Sequence, residues 1–434
     1  MDNILNFIFA EKNRINILKN AHVNGHDNPN FNASALFNWI KGTSTPISIT
    51  TDYQIKKDST NVFLIETQNH IRQFFHFDFN DKLKNLIRTE HLKILVGMVS
   101  EGTPNLDKFE DEVEHFCKIK SLPLDSFIFI DSNKQIENCK KINWYYVPHC
   151  VYVSGYTMKE MIGGHREKNE LNYVPTILTD IEAKNNLDRK YYFISLNRSN
   201  HRPHRVLLGC YFIEKNDDRI LWSYLSEPCD LTGFGELGEN HKKIYSNNIE
   251  NLKKIVPKMV ILPEIKRSDT YSKKKLGHFA SFDTHDKDTS LNYYFDIVTE
   301  TIYGDSTTYP GENITITEKI MKPIINLHPF IVMSTGGFLK EFKSFGFKTY
   351  DGLFDESYDD IVDKWERFDF ITREIDRILS KSKEEIKDLY EEYLDVCIYN
   401  RNHLLKNFAL GNERQWDNVF MDIANGCKSF KGEI

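Results

Sequence analysis

Apolar stretches of strand length alternate with stretches of helical length over two parts of the chain. In the first part, the strand-like stretches are 92–102, 126–133 and 144–153. In the second part, they are 190–197, 220–227, 291–301 and 329–335. Strands that alternate with helices in this way are typical of a parallel sheet covered by helices. The pattern therefore predicts an α/β fold with two such sheets.

The same pattern predicts how the chain is divided. We expect two Rossmann-like domains followed by a helical tail, because the chain becomes helical and charged after Tyr350. The expected limits are 1–170 for the N-terminal domain, 185–355 for the C-terminal domain and 356–434 for the tail. The polar stretch 228–290 is interpreted mainly as loop or insertion, and residues 1–85 allow no assignment.

Composition and charge narrow the class of protein. The 434 residues suit two or three domains, and 27% charged residues fit a folded, soluble chain. No apolar run reaches the roughly 18 to 20 residues that cross a bilayer, and the start lacks a signal peptide, so a cytoplasmic location is expected. The net charge of −7 argues against general DNA binding, although the basic stretch 266–275 leaves it open. The seven cysteines form no CxxC pair, which favours reduced thiols.

Basic residues cluster directly after the strand at 190–197. The stretch 197–205 reads NRSNHRPHR and leads into a helix with Pro203 near its first turn. Ligands of open α/β sheets bind beyond the carboxyl ends of the strands, where helices present free amides. Arginine side chains match phosphate oxygens and stay charged, so we predict a diphosphate site with Arg198 as its main residue. The alternative is a solvated basic turn.

Two further strand ends carry candidate residues. Glu318 and Lys319 follow Thr317 at the start of a helix, where a capping role is the simpler interpretation. A binding role would place the Glu318 carboxylate on ribose hydroxyls and the Lys319 ammonium near phosphate. Gly336 and Gly337 open the next helix, and paired glycines either let backbone amides approach a ligand or form a simple turn.

Other chemistries lack a motif. Acidic residues occur at Asp283, Asp286 and Asp288 and at Asp359–Asp360, but none closes a clear buried strand, so no metal site is predicted. The sequence contains no HExxH, GxGxxG, GxxxxGK[ST] or GxSxG. These absences remove local support for a zinc hydrolase, a dinucleotide dehydrogenase, a P-loop NTPase and a serine hydrolase.

Taken together, these segments resemble a glycosyltransferase of the two-Rossmann (GT-B) type. The pattern looks most like the glycosyltransferases of large phages and related viruses, and it is more distantly similar to the α1,3-fucosyltransferases. In that family an aromatic-x-x-Glu-Lys segment and an upstream arginine bind the donor, and Glu318, Lys319 and Arg198 match them. Thr315 stands where the family has tyrosine, which leaves the donor base and sugar open.

The resemblance implies an enzyme that needs no metal or cofactor and whose donor substrate is a nucleoside diphosphate sugar. The acceptor would be a glycan, a protein, a small molecule or modified nucleic acid. The donor-binding residues are then expected to be Asn197, Arg198, Arg202, Arg205, Glu300, Glu318, Lys319, Gly336 and Gly337. For an inverting transfer, a base must accept the acceptor proton. Glu101 at a strand end is the first candidate, and His149 is the second.

Two other functions stay open at this point. The chain could modify hydroxymethylated bases in phage DNA, which would need a basic cleft. It could also be a non-catalytic interaction protein that keeps a nucleotide pocket. A retaining mechanism is not excluded by the sequence.

Overall fold

The computed structural model describes residues 4–9, 47–51, 55, 59–67, 71–89, 92–98, 106–146, 178–197, 202–225, 228, 238–258, 287–304, 314, 316–409, 421, 423 and 431–433. The chain divides into two compact units. One comprises Met1–Tyr156, Gly311–Thr315 and Asn407–Ile434, and the other comprises Thr157–Pro310 and Ile316–Lys406. The domain limits expected from the sequence stay predictions, and so does a further implication of the resemblance, that the helical tail braces the two domains.

The first unit contains a seven-stranded parallel sheet. Its strands are β1 (Ile4–Phe9), β2 (Ile47–Thr51), β3 (Ser59–Thr67), β4 (Lys93–Met98), β5 (Phe127–Asp131), β6 (Asn143–Tyr146) and β11 (Lys431–Glu433). They stand in the order β11-β6-β5-β4-β3-β1-β2. Helices α1 (Asp81–Arg88) and α2 (Phe109–Lys120) and the 3₁₀ segments Ile71–His76, Leu124–Ser126 and Lys134–Asn138 connect them.

Aromatic side chains fill the core of the first unit. The ring of Phe74 lies 5.2 Å from the rings of both Phe116 and Phe129, in edge-to-face contacts. Edge-to-face pairs of this kind add roughly 0.5 to 1.5 kcal/mol beyond the burial of their area. The high phenylalanine content of the chain is therefore used here for packing.

The second unit contains a four-stranded parallel sheet. Its strands are β7 (Tyr191–Asn197), β8 (Ile220–Tyr224), β9 (Tyr293–Thr299) and β10 (Phe330–Met333). The order across the sheet is β10-β9-β7-β8. The chain thus moves from β7 to one neighbour, β8, and then places β9 on the other side of β7. Such a reversal is a topological switch point, where open α/β sheets form a crevice at the carboxyl ends of the strands.

Helices of the second unit lie before, between and after its strands in the chain. They are α3 (Asp180–Asn185), α4 (Pro203–Lys215), α5 (Glu239–Ile255), α6 (Lys287–Ser290), α7 (Glu318–Ile325), α8 (Phe338–Ser344), α9 (Lys364–Leu379) and α10 (Lys383–Leu404). Glu356–Asp360 is a 3₁₀ turn, and Leu405–Ala409 is a π-helical turn. Asp363 and Ser382 cap α9 and α10 through their side chains, which explains why each helix begins where it does.

The α/β fold class with parallel sheets and C-terminal helices is confirmed, but two expectations about its elements were incomplete. The polar stretch 228–290 contains the 17-residue helix α5, which we had expected to be loop. Its buried positions include His241 and Asn248 beside Ile249 and Leu252, so the apolar stripe that signals a helix is interrupted.

Strands β1 and β3 lie in the segment that allowed no assignment from sequence. Asn6 and Asn61 are both buried there, and the Asn6 side-chain amide donates to Asn61 Oδ1 at 2.8 Å. Polar residues inside a buried strand break the apolar run, and only their pairing across the sheet makes them compatible with burial.

Candidate functional site

Hydrogen bonds join the neighbouring ends of β7 and β9 at the switch point of the second sheet. Asn197 is the last residue of β7, and its Oδ1 accepts a hydrogen bond from the Thr299 hydroxyl of β9 at 2.6 Å. The Asn197 amide nitrogen Nδ2 donates to Ser195 Oγ at 3.2 Å. All three side chains are buried. This network fixes the points from which the chain leaves β7 and β9.

Glu300 directly follows β9 and organises the start of α7. Its carboxylate is fully buried, with Oε1 accepting from the Thr317 amide at 3.0 Å and Oε2 accepting from the Thr317 hydroxyl at 2.7 Å. Thr317 is the N-cap of α7, and its Oγ1 accepts from the Lys319 amide at 3.3 Å. Glu300 therefore holds the capping residue, although the two lie 17 positions apart in the chain.

The Lys319 ammonium is held over the same hydroxyl groups. Its Nζ donates to Thr301 Oγ1 and to Thr317 Oγ1, each at 3.1 Å, and the side chain is half-buried. Since the Thr317 hydroxyl donates to Glu300, the carboxylate indirectly fixes the position of the ammonium. This arrangement places a cation at the carboxyl edge of the sheet, with the hydroxyls of Thr301 and Thr317 among its partners.

The first turn of α4 contributes two buried basic side chains. His204 Nε2 donates to the Glu300 carbonyl at 3.0 Å, and Arg205 Nη2 donates to the carbonyls of Thr299 and Glu300 at 3.0 and 3.2 Å. Burial, followed by the charge of Arg205, lowers the pKa of His204 well below its usual value. The His204 ring stacks on Tyr303 with 4.8 Å between centroids. His204 is therefore a neutral hydrogen-bond donor.

The Gly336–Gly337 turn after β10 is used within the fold. Gly337 has φ of +88°, and its amide donates to the Asp359 carbonyl at 2.8 Å. The Asp359 carboxylate accepts from the amides of Leu339 and Lys340 at 3.0 and 3.1 Å, so it caps α8. A Cβ on Gly336 would lie 3.0 Å from the Asp359 carbonyl oxygen. Both glycines are thus required by this turn, whatever else they do.

Several of the expected site residues come together at this edge. Asn197, Glu300, Lys319 and Arg205 are connected through the contacts above. Arg202 is half-buried at the N-cap of α4, without a side-chain cap hydrogen bond.

Other expected residues lie outside the described part of the chain. Arg198, Glu101 and His149 are outside it altogether, and for Glu318 only the backbone position at the start of α7 is described. Their roles stay predictions.

The candidate acids for a metal site divide in the same way. Asp283 and Asp286 lie outside the described residues, and the side chain of Asp288 is not described. Asp359 caps α8. Within the described part of the chain, no group of three or more histidine, cysteine or acidic side chains is placed to hold a metal ion.

Comparisons with known proteins find similarity at the level of structure. An α1,3-fucosyltransferase is 12% identical, with a TM-score of 0.38, over 100% of this chain and 93% of its own. A UDP-forming α,α-trehalose-phosphate synthase from Burkholderia vietnamiensis is 11% identical, with a TM-score of 0.37, over 86% of this chain and 73% of its own. No protein-family model matches the chain, and curated sequences give no match.

At such identities and TM-scores, the similarities say nothing about reaction or substrate. Those have to be argued from the residues at the carboxyl edge.

Arg367 belongs to this edge and was missed by the sequence analysis. Its Nη2 donates to the Gly304 carbonyl in the segment that follows β9, and its guanidinium lies 5.1 Å from the centroid of the Tyr303 ring. The available signal was its spacing, because Arg367 falls on the same helical stripe as Ile371 and Ile378, which are fully buried. A charged residue on an apolar stripe indicates a buried role.

In the described part of the chain, no helix has the length and apolarity needed to cross a membrane.

Proposed function

We propose that the chain is a glycosyltransferase and that a nucleoside diphosphate sugar binds at the carboxyl edge of the second sheet. The observation that carries the proposal is the Glu300–Thr317–Lys319 assembly at the switch point, where a buried carboxylate fixes an ammonium beside two strand-end segments. A switch point is where α/β sheets of this kind bind nucleotides, and a fixed cation there suits a diphosphate.

The electrostatics of the edge support an anionic ligand. Arg205, Arg202 and Arg367 all lie close enough to His204 to lower its pKa. The carboxylates of Glu300 and Asp359 accept hydrogen bonds that shape the site, from Thr317 and from the α8 amides. Cations thus gather around the crevice, while these two acids support the helix starts.

The proposed reaction breaks the bond between C1 of the sugar and the diphosphate oxygen and forms a bond from C1 to an acceptor hydroxyl oxygen. The acceptor proton passes to a base, for which Glu101 and His149 remain the candidates. The leaving nucleoside diphosphate gains negative charge, which Lys319 and the predicted Arg198 stabilise. Inversion at C1, independence from metals and cofactors, and a cytoplasmic location are parts of the same proposal.

Glu318 is proposed to accept hydrogen bonds from the ribose hydroxyls, because it begins α7 beside Lys319. If so, binding prefers ribonucleotides to 2′-deoxy analogues, and Glu318→Gln reduces that preference while the free energy of unfolding barely changes. A carboxylate that only favours the helix dipole would instead contribute a few tenths to about 1 kcal/mol of stability, with unchanged ligand binding.

The first experiment is a thermal-shift and calorimetry panel of nucleoside diphosphates and their sugars on the wild-type chain. We expect one nucleoside diphosphate to raise the melting temperature and its sugar conjugate to bind as well. Incubation of that conjugate with candidate acceptors then tests transfer by mass spectrometry. Binding without transfer to any glycan, protein or hydroxymethylated duplex would favour a non-catalytic nucleotide-binding protein.

A further inference from the structure

Arg367 brings a buried guanidinium to the carboxyl edge of the second sheet. Arg367 lies on the first turn of α9 and is 1% exposed. Nη1 donates to the carbonyls of Ile361 and Val362 at 2.5 and 3.4 Å, and Nη2 donates to the carbonyl of Gly304. All of these acceptors are neutral backbone oxygens. Among the residues that the structure describes, the Arg367 Nε–H has no acceptor.

Two buried hydroxyl groups at the same edge also lack a hydrogen-bond partner among the described residues. Ser334 and Thr335 follow β10 and are 3% and 2% exposed. Neither hydroxyl has a hydrogen-bond partner within the described part of the chain. Buried polar groups are nearly always paired in folded proteins, and leaving one unpaired destabilises the fold. Adjacent unpaired hydroxyls at the end of a strand therefore point to a partner that the described part of the chain does not supply.

Two glycines lie between the Arg367 guanidinium and the Thr335 hydroxyl, and Ser334 precedes Thr335 in the chain. A Cβ built on Gly304 would lie 4.0 Å from Thr335 Oγ1, and the Gly304 carbonyl accepts from Arg367. A Cβ built on Gly336 would lie 3.1 Å from Arg367 Nη1. The segment after β9, the turn after β10 and the first turn of α9 thus meet around these groups, next to the Glu300–Lys319 assembly of the same edge.

We propose that Arg367, Ser334 and Thr335 bind a phosphate group of the ligand, as a second phosphate position beside Lys319. A guanidinium and hydroxyl donors match phosphate oxygens, and the Arg367 Nε–H and the two hydroxyls have no acceptor or donor among the described residues. This inference rests on the proposed function, because it assigns one end of the diphosphate. It differs from the sequence prediction, which gave phosphate binding to Arg198 and Lys319 and no role to Arg367.

The rival explanation is that Arg367 only ties α9 to the segment after β9, with the hydroxyls unused. The two explanations differ in how stability and affinity change together. Removing an unpaired buried hydroxyl does not lower stability in either case, since no hydrogen bond is lost in the free protein. Only a binding role makes the same substitution weaken a phosphate ligand.

The test uses Thr335→Val and Ser334→Ala, with pyrophosphate and the nucleoside diphosphate found in the panel as probes. Thr335→Val keeps the shape of the side chain and removes the hydroxyl. We expect unfolding of the free variants at or above the wild-type denaturant midpoint, together with roughly tenfold weaker binding of both probes in calorimetry. Nucleoside binding stays within about twofold of the wild type.

Ser126→Ala in the first unit is the matched control. The Ser126 hydroxyl is also buried and also lacks a partner among the described residues, but Ser126 lies at the start of β5. Its removal is expected to leave probe binding at the wild-type level. Stability should equal that of the wild type or lie slightly above it.

The outcomes separate this inference from the proposed function. If the wild type binds the nucleoside diphosphate and both variants bind it equally well, the phosphate position is wrong and the proposed function stands. If no nucleoside diphosphate binds but pyrophosphate does, with weaker binding in the variants, the position is correct and the proposed function is wrong. If neither probe binds the wild type, both are overturned. Arg367→Met is a more disruptive variant of the same test. If it does not fold, Thr335→Val alone decides the outcome.

Discussion

The two edges of the second sheet both carry buried polar clusters. The clusters differ in the hydroxyl groups that lie beside their charged side chains. At the amino edge, Arg189 Nη1 donates to the Tyr293 carbonyl at 2.6 Å and lies 3.2 Å from His328 Nε2. His328 Nδ1 in turn lies 3.1 Å from Asp296 Oδ2. Since Arg189 can only donate, Nε2 accepts and the Nδ1–H donates to Asp296.

Helix α10 completes the amino-edge cluster. Arg189 Nη2 donates to the Tyr390 hydroxyl at 2.5 Å, and the guanidinium lies 4.0 Å from the centroid of the Tyr390 ring. The Tyr390 hydroxyl donates to the Leu327 carbonyl at 3.1 Å. The chain of contacts therefore begins and ends on groups of the fold.

The carboxyl edge is formed by the opposite ends of the same three strands, β7, β9 and β10. The Lys319 ammonium rests on hydroxyls, and the Arg367 guanidinium rests on backbone carbonyls. The comparison shows that burial of charge does not by itself identify a site. What distinguishes the carboxyl edge is that the neighbouring hydroxyls of Ser334 and Thr335 lack partners in the described chain.

The largest expected effect is on stability at the amino edge. Arg189→Met removes the centre of a buried network and leaves Tyr390 and His328 without their common partner. We expect the free energy of unfolding in denaturant to fall by about 3 to 5 kcal/mol, while nucleoside diphosphate affinity in the folded protein is unchanged. The half-buried Arg219 offers a control nearer the surface, since Arg219→Met should cost about 1 kcal/mol or less. A large loss of affinity in folded Arg189→Met would erase the distinction between the edges.

A smaller effect on stability, with an effect on binding, is expected for Glu300→Gln. The substitution keeps one acceptor for Thr317 but removes the charge, so unfolding should become about 1 to 3 kcal/mol easier. Because Thr317 positions Lys319, nucleoside diphosphate affinity should fall as well. Chemical denaturation and calorimetry on the same samples measure both. A stability loss with unaltered affinity would make Glu300 a capping residue only.

The pH dependence at the carboxyl edge is expected to be weaker still. The folded protein holds His204 neutral, with its pKa well below the unfolded value, so the unfolded chain binds a proton first as the pH falls. The contribution of His204 to stability is complete above about pH 6.5 and decreases below it, by at most about 1.4 kcal/mol per pH unit. His204→Gln keeps a donor near the Glu300 carbonyl and cannot titrate. Its unfolding free energy should therefore fall less between pH 7 and pH 5 than that of the wild type, and equal decreases would contradict the neutral assignment.

No effect at all is expected from chelation. The proposal uses Lys319 and arginines to stabilise the leaving diphosphate, so EDTA should leave the transfer rate essentially unchanged. Complete loss of activity, restored by manganese or magnesium, would show that the reaction needs a metal ion.

The sequence predicted the sheets of the molecule better than the contacts at their edges. Apolar runs such as 190–197 and 329–335 identified β7 and β10, because buried parallel strands are continuously apolar. Helix α5 was missed because His241 and Asn248 occupy buried positions, and β1 and β3 because Asn6 and Asn61 pair inside the sheet.

At the candidate site, local spacing had clear limits. It proposed Glu318, Lys319 and Glu300 as donor-binding residues, which stay predictions. It could not show that Glu300 holds Thr317, since that contact joins a strand end to the next helix. Arg367 was beyond reach for a similar reason, because its contact with Gly304 spans 63 residues. Short motifs report what neighbours in the chain do, whereas a site at a sheet edge is assembled from segments far apart in sequence.

The most direct test of a diphosphate site at the carboxyl edge is calorimetry on Lys319→Met, with the nucleoside diphosphate and the free nucleoside as ligands. The variant keeps much of the side-chain stem and removes the charge. We predict that diphosphate affinity falls by about 1.5 to 3 kcal/mol, roughly 10- to 150-fold, while nucleoside affinity changes little. Lys348→Met, in which the altered ammonium lies over the Tyr399 ring at 4.3 Å, is the control and should bind both ligands like the wild type. Equal losses for the nucleoside and the diphosphate in Lys319→Met, or no loss for either, would contradict the account.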